Sequence, residues 1–154
     1  MPILELTDQQ VVDRDTNRQL EGLKTVKSAF LIEARALADA GLAAAAWPFY
    51  RRAAELECEL ADLFQTQDNP RDAGVSLFSA ASCFLMARQY RTAWELFQRV
   101  VGAFPEAEGL MTQCVDKEDA PGIAETPALE ALIRLLVRKG IISDDDWVQA
   151  VQAR

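Results

Sequence analysis

Residues 81–105, ASCFLMARQYRTAWELFQRVVGAFP, decide how this chain folds. Leu77, Ala81 and Phe84 precede the polar break Arg88-Gln89-Tyr90; Ala93, Phe97 and Val100 follow it, and Pro105 closes the stretch. Intervals of three and four on both sides of a break describe two amphipathic helices joined by a tight turn. The same order occurs 47 residues earlier, where Phe30, Ala34 and Leu37 precede Gly41, and Ala46, Tyr50 and Ala53 follow it. Two helices approach closely only where small residues leave room for large ones from the partner. Ala34 with Ala46, and Ala81 with Ala93, meet that need in the two hairpins.

Working outward, the periodic line Leu20, Leu23, Val26, Phe30, Ala34, Leu37 predicts a helix from about Asp15 to Gly41, a residue suited to a left-handed helix end. Thr7-Asp8-Gln9-Gln10 has the form of a capping box that starts a brief separate helix. A second long helix is expected over Leu42 to about Gln65. Pro48 costs little if that helix begins near Ala45 and kinks it if it begins earlier. Gln65 to Pro70 reads as a turn. A third helix follows from about Arg71 to Ala87 and a fourth from Tyr90 to Phe104. Residues 106–126, with Gly109, Pro121, Gly122 and several acids, read as an irregular acidic linker with one or two helical turns at Leu110 to Val115. Thr126-Pro127 opens a helix that buries Leu129, Leu132, Ile133, Leu136 and Val137 and ends at Lys139-Gly140. Ser143, followed by three aspartates, caps a last short helix anchored by Trp147, Val148 and Val151. No alternation long enough for a strand occurs.

The paired small residues, the aromatics Phe30, Tyr50, Phe84 and Phe97, Tyr90 shortly before Ala93, and the closing Pro105 resemble the tetratricopeptide repeat. About 80 of the 154 residues carry the resemblance. The 47-residue spacing exceeds the roughly 34 of the standard repeat and looks more like the long-helix variants of vesicle-fusion attachment proteins. The resemblance implies an all-α fold: antiparallel hairpins stacked in a right-handed array of about five to seven helices, one domain over 1–154. Residues 15–105 form the two hairpins, and residues 127–154 form a C-terminal helical hairpin that caps the array.

In that family the first helix of each pair lines a groove that holds a helix or peptide of a partner protein. The implied lining is Ser28, Leu31, Arg35, Ala38 and Asp39 on one helix, and Val75, Phe78, Ser82, Leu85 and Met86 on the other. Phe78, Leu85 and Met86 make the second wall apolar and suited to an amphipathic helix. Leu31 and Phe78 stand where members that clamp a C-terminal carboxylate carry polar residues, which disfavours a chaperone-tail adaptor. A short groove is equally open to filling by the chain's own Leu129 to Val137, which leaves a self-assembling homo-oligomer as the alternative.

Composition narrows the remaining classes. Twenty-four acidic against sixteen basic residues give a net charge of −8, which repels nucleic-acid phosphates and anionic membrane surfaces. Residues 71–105 are net +2 and residues 106–146 net −6, so an electrostatic contact between middle and tail is open. Half the residues are hydrophobic, as in a folded globular protein. No signal peptide or apolar run long enough for a membrane span appears, and the expected location is the cytoplasm. Cys58, Cys83 and Cys114 have neither disulfide-framework nor zinc spacing and read as reduced, mostly buried thiols, with no metal or cofactor expected. The chain has no histidine and no glycine-rich phosphate loop, so a non-catalytic protein is expected. Glu55, Glu57, Glu59 and Asp62 read as a solvated helix stripe, and Arg51, Arg52, Arg88 and Arg91 as solvated or ion-paired side chains.

Overall fold

The computed structural model describes residues 8–119, 135–143, 145, 146 and 149. Among them the fold is all-helical: α1 (Asp8–Asp39), α2 (Ala43–Thr66), α3 (Pro70–Met86), α4 (Tyr90–Val100) and α5 (Ala107–Asp119). Each helix packs chiefly on its neighbours in sequence. Along α1 and α2, Lys24 meets Phe64, Lys27 meets Glu57 and Phe30 meets Phe49, so numbering rises on one helix as it falls on the other.

One backbone device joins the first four helices. At the end of α1, Leu42 N–H donates to the Leu37 carbonyl (2.9 Å) and Gly41 N–H to that of Ala38 (3.0 Å), with Gly41 at φ 76°. The same two bonds recur after α2, where Asn69 donates to Phe64 and Asp68 to Gln65. They recur again after α3, where Gln89 donates to Phe84 and Arg88 to Leu85. This is the Schellman ending, which satisfies the last carbonyls of a helix through a left-handed residue. In each case the residue that closes the ending, Leu42, Asn69 or Gln89, is also the N-cap of the next helix. Asn69 adds a side-chain cap: its Oδ1 accepts from Asp72 N–H (3.2 Å), and Pro70 takes the first helical position. A fourth copy at Gly140 (φ 65°) has Ile141 N–H donating to Leu136. Ser143 Oγ then accepts from Asp146 N–H (3.0 Å), while Asp146 Oδ2 accepts from Ser143 N–H (2.7 Å).

The core follows the small-residue pattern. Ala34 and Ala46 lie in one buried cluster with Phe49, Tyr50 and Ala87; Ala81 and Ala93 lie in another with Leu77, Phe84, Phe97 and Val100. Arg88 stacks on the Trp47 ring (4.6 Å) and so ties the third turn to the start of α2. Gly74 admits the Phe104 ring, which a Cβ there would meet at 3.3 Å.

Three boundaries differ from the sequence reading, while the second helix, Ala43–Thr66, falls within one residue of it at either end, with Pro48 inside and one intrahelical donor removed. The opening helix is not separate: α1 runs unbroken from Asp8 because no glycine or proline interrupts residues 8–21. α4 ends at Val100, not Phe104, since Val101 to Ala103 turn and bring Phe104 back against Phe78 (5.3 Å between rings). Residues 107–119 form a regular helix instead of a linker. Ala107 and Cys114 are buried, and Glu108, Asp116 and Glu118 are exposed. The expected helix over 127–139 and the last helix lie mostly outside the described residues.

The left-handed residues at 68 and 88 are not glycine, which costs each up to about 1 kcal/mol. Asp68→Gly is expected to stabilise the fold by about 0.5–1 kcal/mol, roughly 2–3 °C in Tm. Arg88→Gly relieves the same strain but loses the stack on Trp47, so its net change stays within about 0.5 kcal/mol. Thermal denaturation of the two variants checks the contrast.

Candidate functional site

Three helices enclose a groove of about 290 Å³. α1 supplies Lys24 and Lys27, α2 the floor of Glu57, Leu60 and Phe64, and α3 the wall of Asp72, Val75, Ser76 and Ser79. The floor is apolar at the Leu60–Phe64 end and charged at its Glu57 end. There Lys27 Nζ lies 2.9 Å from Glu57 Oε1, with the glutamate side chain only 6% exposed. A carboxylate so far from solvent needs a cation of this kind beside it. Lys24 sits 6.0 Å from the Phe64 ring centre and 2.9 Å from Glu21 on its own helix. Asp72 holds the Asn69 amide at 2.8 Å.

Toward the other end, Tyr50 faces Arg35 and Asp39 of α1 and Cys83 of α3. Burial pushes the phenol above its usual range, Arg35 opposes the shift, and Cys83 and Asp39 add to it. Cys83 is pushed up to about 11, mainly by burial and further by Glu57, with Lys27 and Arg35 opposing. Burial is the leading cause of the upward shift of Cys58 and Cys114 as well. A second cavity, about 340 Å³, lies between α4 and α5 and is lined by Arg91, Trp94, Cys114, Val115 and Glu118. Among the described residues, no group of three or more metal-ligating side chains converges, and no helix is long and apolar enough to cross a membrane.

The structure divides the sequence-derived lining. On α1, Arg35 and Asp39 are exposed and Leu31 and Ala38 half-buried; Ser28 is exposed and its hydroxyl donates to the Lys24 carbonyl (2.8 Å). On α3, Val75 and Met86 are exposed. Phe78 and Leu85 are not free to line a groove. The Phe78 ring packs against Phe97 (5.5 Å) and Phe104 (5.3 Å), and Leu85 is buried in the main core. Ser82, half-buried, donates to the Phe78 carbonyl (3.0 Å). The open side of α3 is turned by about one residue, ~100°, from the expected one and carries Asp72, Val75 and Ser79, with Ser76 buried at its edge. The wall is therefore hydroxyl-bearing where an apolar one was expected. The reason is that α3 is gripped by α2 on one side and α4 on the other, and the second grip claims Phe78 and Leu85. Lys24, Lys27, Ser76 and Ser79 went unread. The polar residues Lys27 and Ser76, three and four places from apolar neighbours, were the available signal.

Compared with protein-family models, with curated proteins and with solved structures, the chain matches none.

Two outcomes follow from these surroundings. Removing one member of the Lys27–Glu57 pair, by Lys27→Met or Glu57→Gln, is expected to cost about 2 kcal/mol, below the full value for a buried pair because Lys27 is partly exposed. The double change Lys27→Met with Glu57→Leu regains most of it, as a denaturation cycle would record. The thiols are expected to stay protonated at pH 8. For Cys83 the thiolate fraction there falls about a hundredfold below that of a thiol at the usual 9. A thiol reagent should label none of the three rapidly in the native protein, Cys58 first of the three, and all three at once in denaturant.

Proposed function

We propose that this protein is a non-catalytic interaction module, tetratricopeptide-like in its stacked antiparallel hairpins, that holds a helix or extended peptide of a partner protein between α1 and α3. The observation that carries the reading is the groove itself. It is walled by the first helix of each hairpin, floored by Leu60 and Phe64 with the Lys27–Glu57 pair at one end, and rimmed by exposed Val75. Apolar floor with a few fixed polar groups is the arrangement that binds an amphipathic segment and sets its register. An apolar side chain of the partner packs on Phe64 and Val75, while its polar atoms meet Ser79, Lys24 and Asp72. The net charge of −8 favours a protein partner over nucleic acid or an anionic membrane, and a cytoplasmic role goes with this reading.

Val75 tests it best, because it is 46% exposed and its replacement leaves the core intact. A stoichiometric partner recovered by affinity capture is expected to lose at least about tenfold in affinity on Val75→Glu, with the helical circular dichroism unchanged. Phe78→Glu serves as the contrast, since it unfolds the protein by opening the Phe78–Phe97–Phe104 cluster. Unchanged capture by Val75→Glu rules the groove out.

A further inference from the structure

The side of α1 that points away from α2 is as patterned as the side that packs. Gly22, Thr25, Ala29, Ile32 and Ala36 succeed one another at intervals of three and four, and all five are exposed. Ile32, at 66%, is the most exposed large hydrophobic residue described, and Val26 beside the line is 46% exposed. A solvated helix face is expected to carry charge, yet this line carries none from Gly22 to Ala36. Gly22, Ala29 and Ala36 recur every seven residues, with Thr25 and Ile32 in the alternate positions, which is the seam of two helices in close contact.

We infer that a second copy of this chain docks on this face, with the two α1 helices antiparallel. The flanking charges select that occupant and that direction. When Thr25 is set over Ala29 of the second copy, Gly22 falls over Ile32, a small residue under a large one. In the same register Glu21 comes opposite Arg35 of the second copy; Asp39 comes opposite Asp15, whose repulsion Arg14 and Arg18 beside it offset. Each of these contacts occurs twice by symmetry. A parallel pairing sets Glu21 beside Val26 and Arg14 beside Gln19 and gains none of them. Arg35 and Asp39 thus stand on the shoulder between the groove and the outer face. The inference does not depend on what the groove holds.

Sedimentation equilibrium of the full chain, from low-micromolar to near-millimolar concentration, reads the proposal. A dimer is expected. Ile32→Arg, at a site too exposed to disturb folding, is expected to raise its dissociation constant at least about tenfold. Glu21→Arg and Arg35→Glu each weaken the dimer, and the two together restore it. A single-copy mass at every concentration, or a dimer indifferent to Ile32→Arg, overturns the proposal; failure of the double exchange to restore association overturns the antiparallel register. Val75→Glu leaves the dimer unchanged, so that loss of groove binding and loss of pairing are read separately.

Discussion

The arrangement of these helices depends on one constraint: each reversal must satisfy the end of one helix and the start of the next within three residues. The bond from the residue after the left-handed position closes the old helix, and that same residue begins the new one. Inserting even one residue separates the two tasks and exposes backbone groups that have no other partner. Three turns of the same hydrogen-bond pattern therefore set a common geometry for α1 through α4. The helices between them are free to differ in length, 24 residues for α2 and 17 for α3. The 47-residue spacing of the two hairpins is the distance between the left-handed residues Gly41 and Arg88, which reach φ of 76° and 59°. What repeats is the reversal and the close crossing beside it.

That division explains what the sequence made legible. The crossings were readable because close approach admits only small side chains, so Ala34, Ala46, Ala81 and Ala93 stand out wherever the helices begin and end, and all are buried to 1% exposure or less. Gly41 announced its turn by residue type. Asp68 and Arg88 adopt the same backbone without that signature, although the polar character of 65–70 and 88–90 still marked both breaks. The helix α5 was hidden by its outer side: Glu108, Asp116 and Glu118 suggested a solvated linker, while the inward spacing of Ala107, Met111 and Cys114 was the true signal.

The candidate site was harder to read because α3 packs on two sides. Ala73, Ser76, Leu77, Ala80, Ala81, Cys83, Phe84 and Leu85 are all buried, and they span a little over half of its circumference, about 200°. Hydrophobic periodicity gives the direction of a helix packed on one side and loses it for one packed on two. The open strip of α3 beside Val75 was then marked only by Asp72 and Ser79, while Ser76 at its edge is buried. By contrast α1 packs on α2 alone over most of its length, and the groove residues it supplies are Lys24 and Lys27.

The charged end of the groove bears on what such a site could accept. An aliphatic pair in place of Lys27 and Glu57 would hold α1 against α2 equally well, since a desolvated ion pair contributes little net stability. What the pair adds is direction. Its two charged groups stand fixed at one end of the floor, with Leu60 and Phe64 beyond them. A segment that lies in the groove must place a polar group there or leave those groups desolvated, at a cost of roughly 1–3 kcal/mol for each unmade bond. Apolar contact with Phe64 and Val75 can be made by many sequences in many registers, whereas the match to a charged pair 2.9 Å across can be made in few. In the proposed binding mode affinity and register fall to different residues, and a like separation runs through the fold, where the alanines set how closely helices approach and the turns set where each one starts.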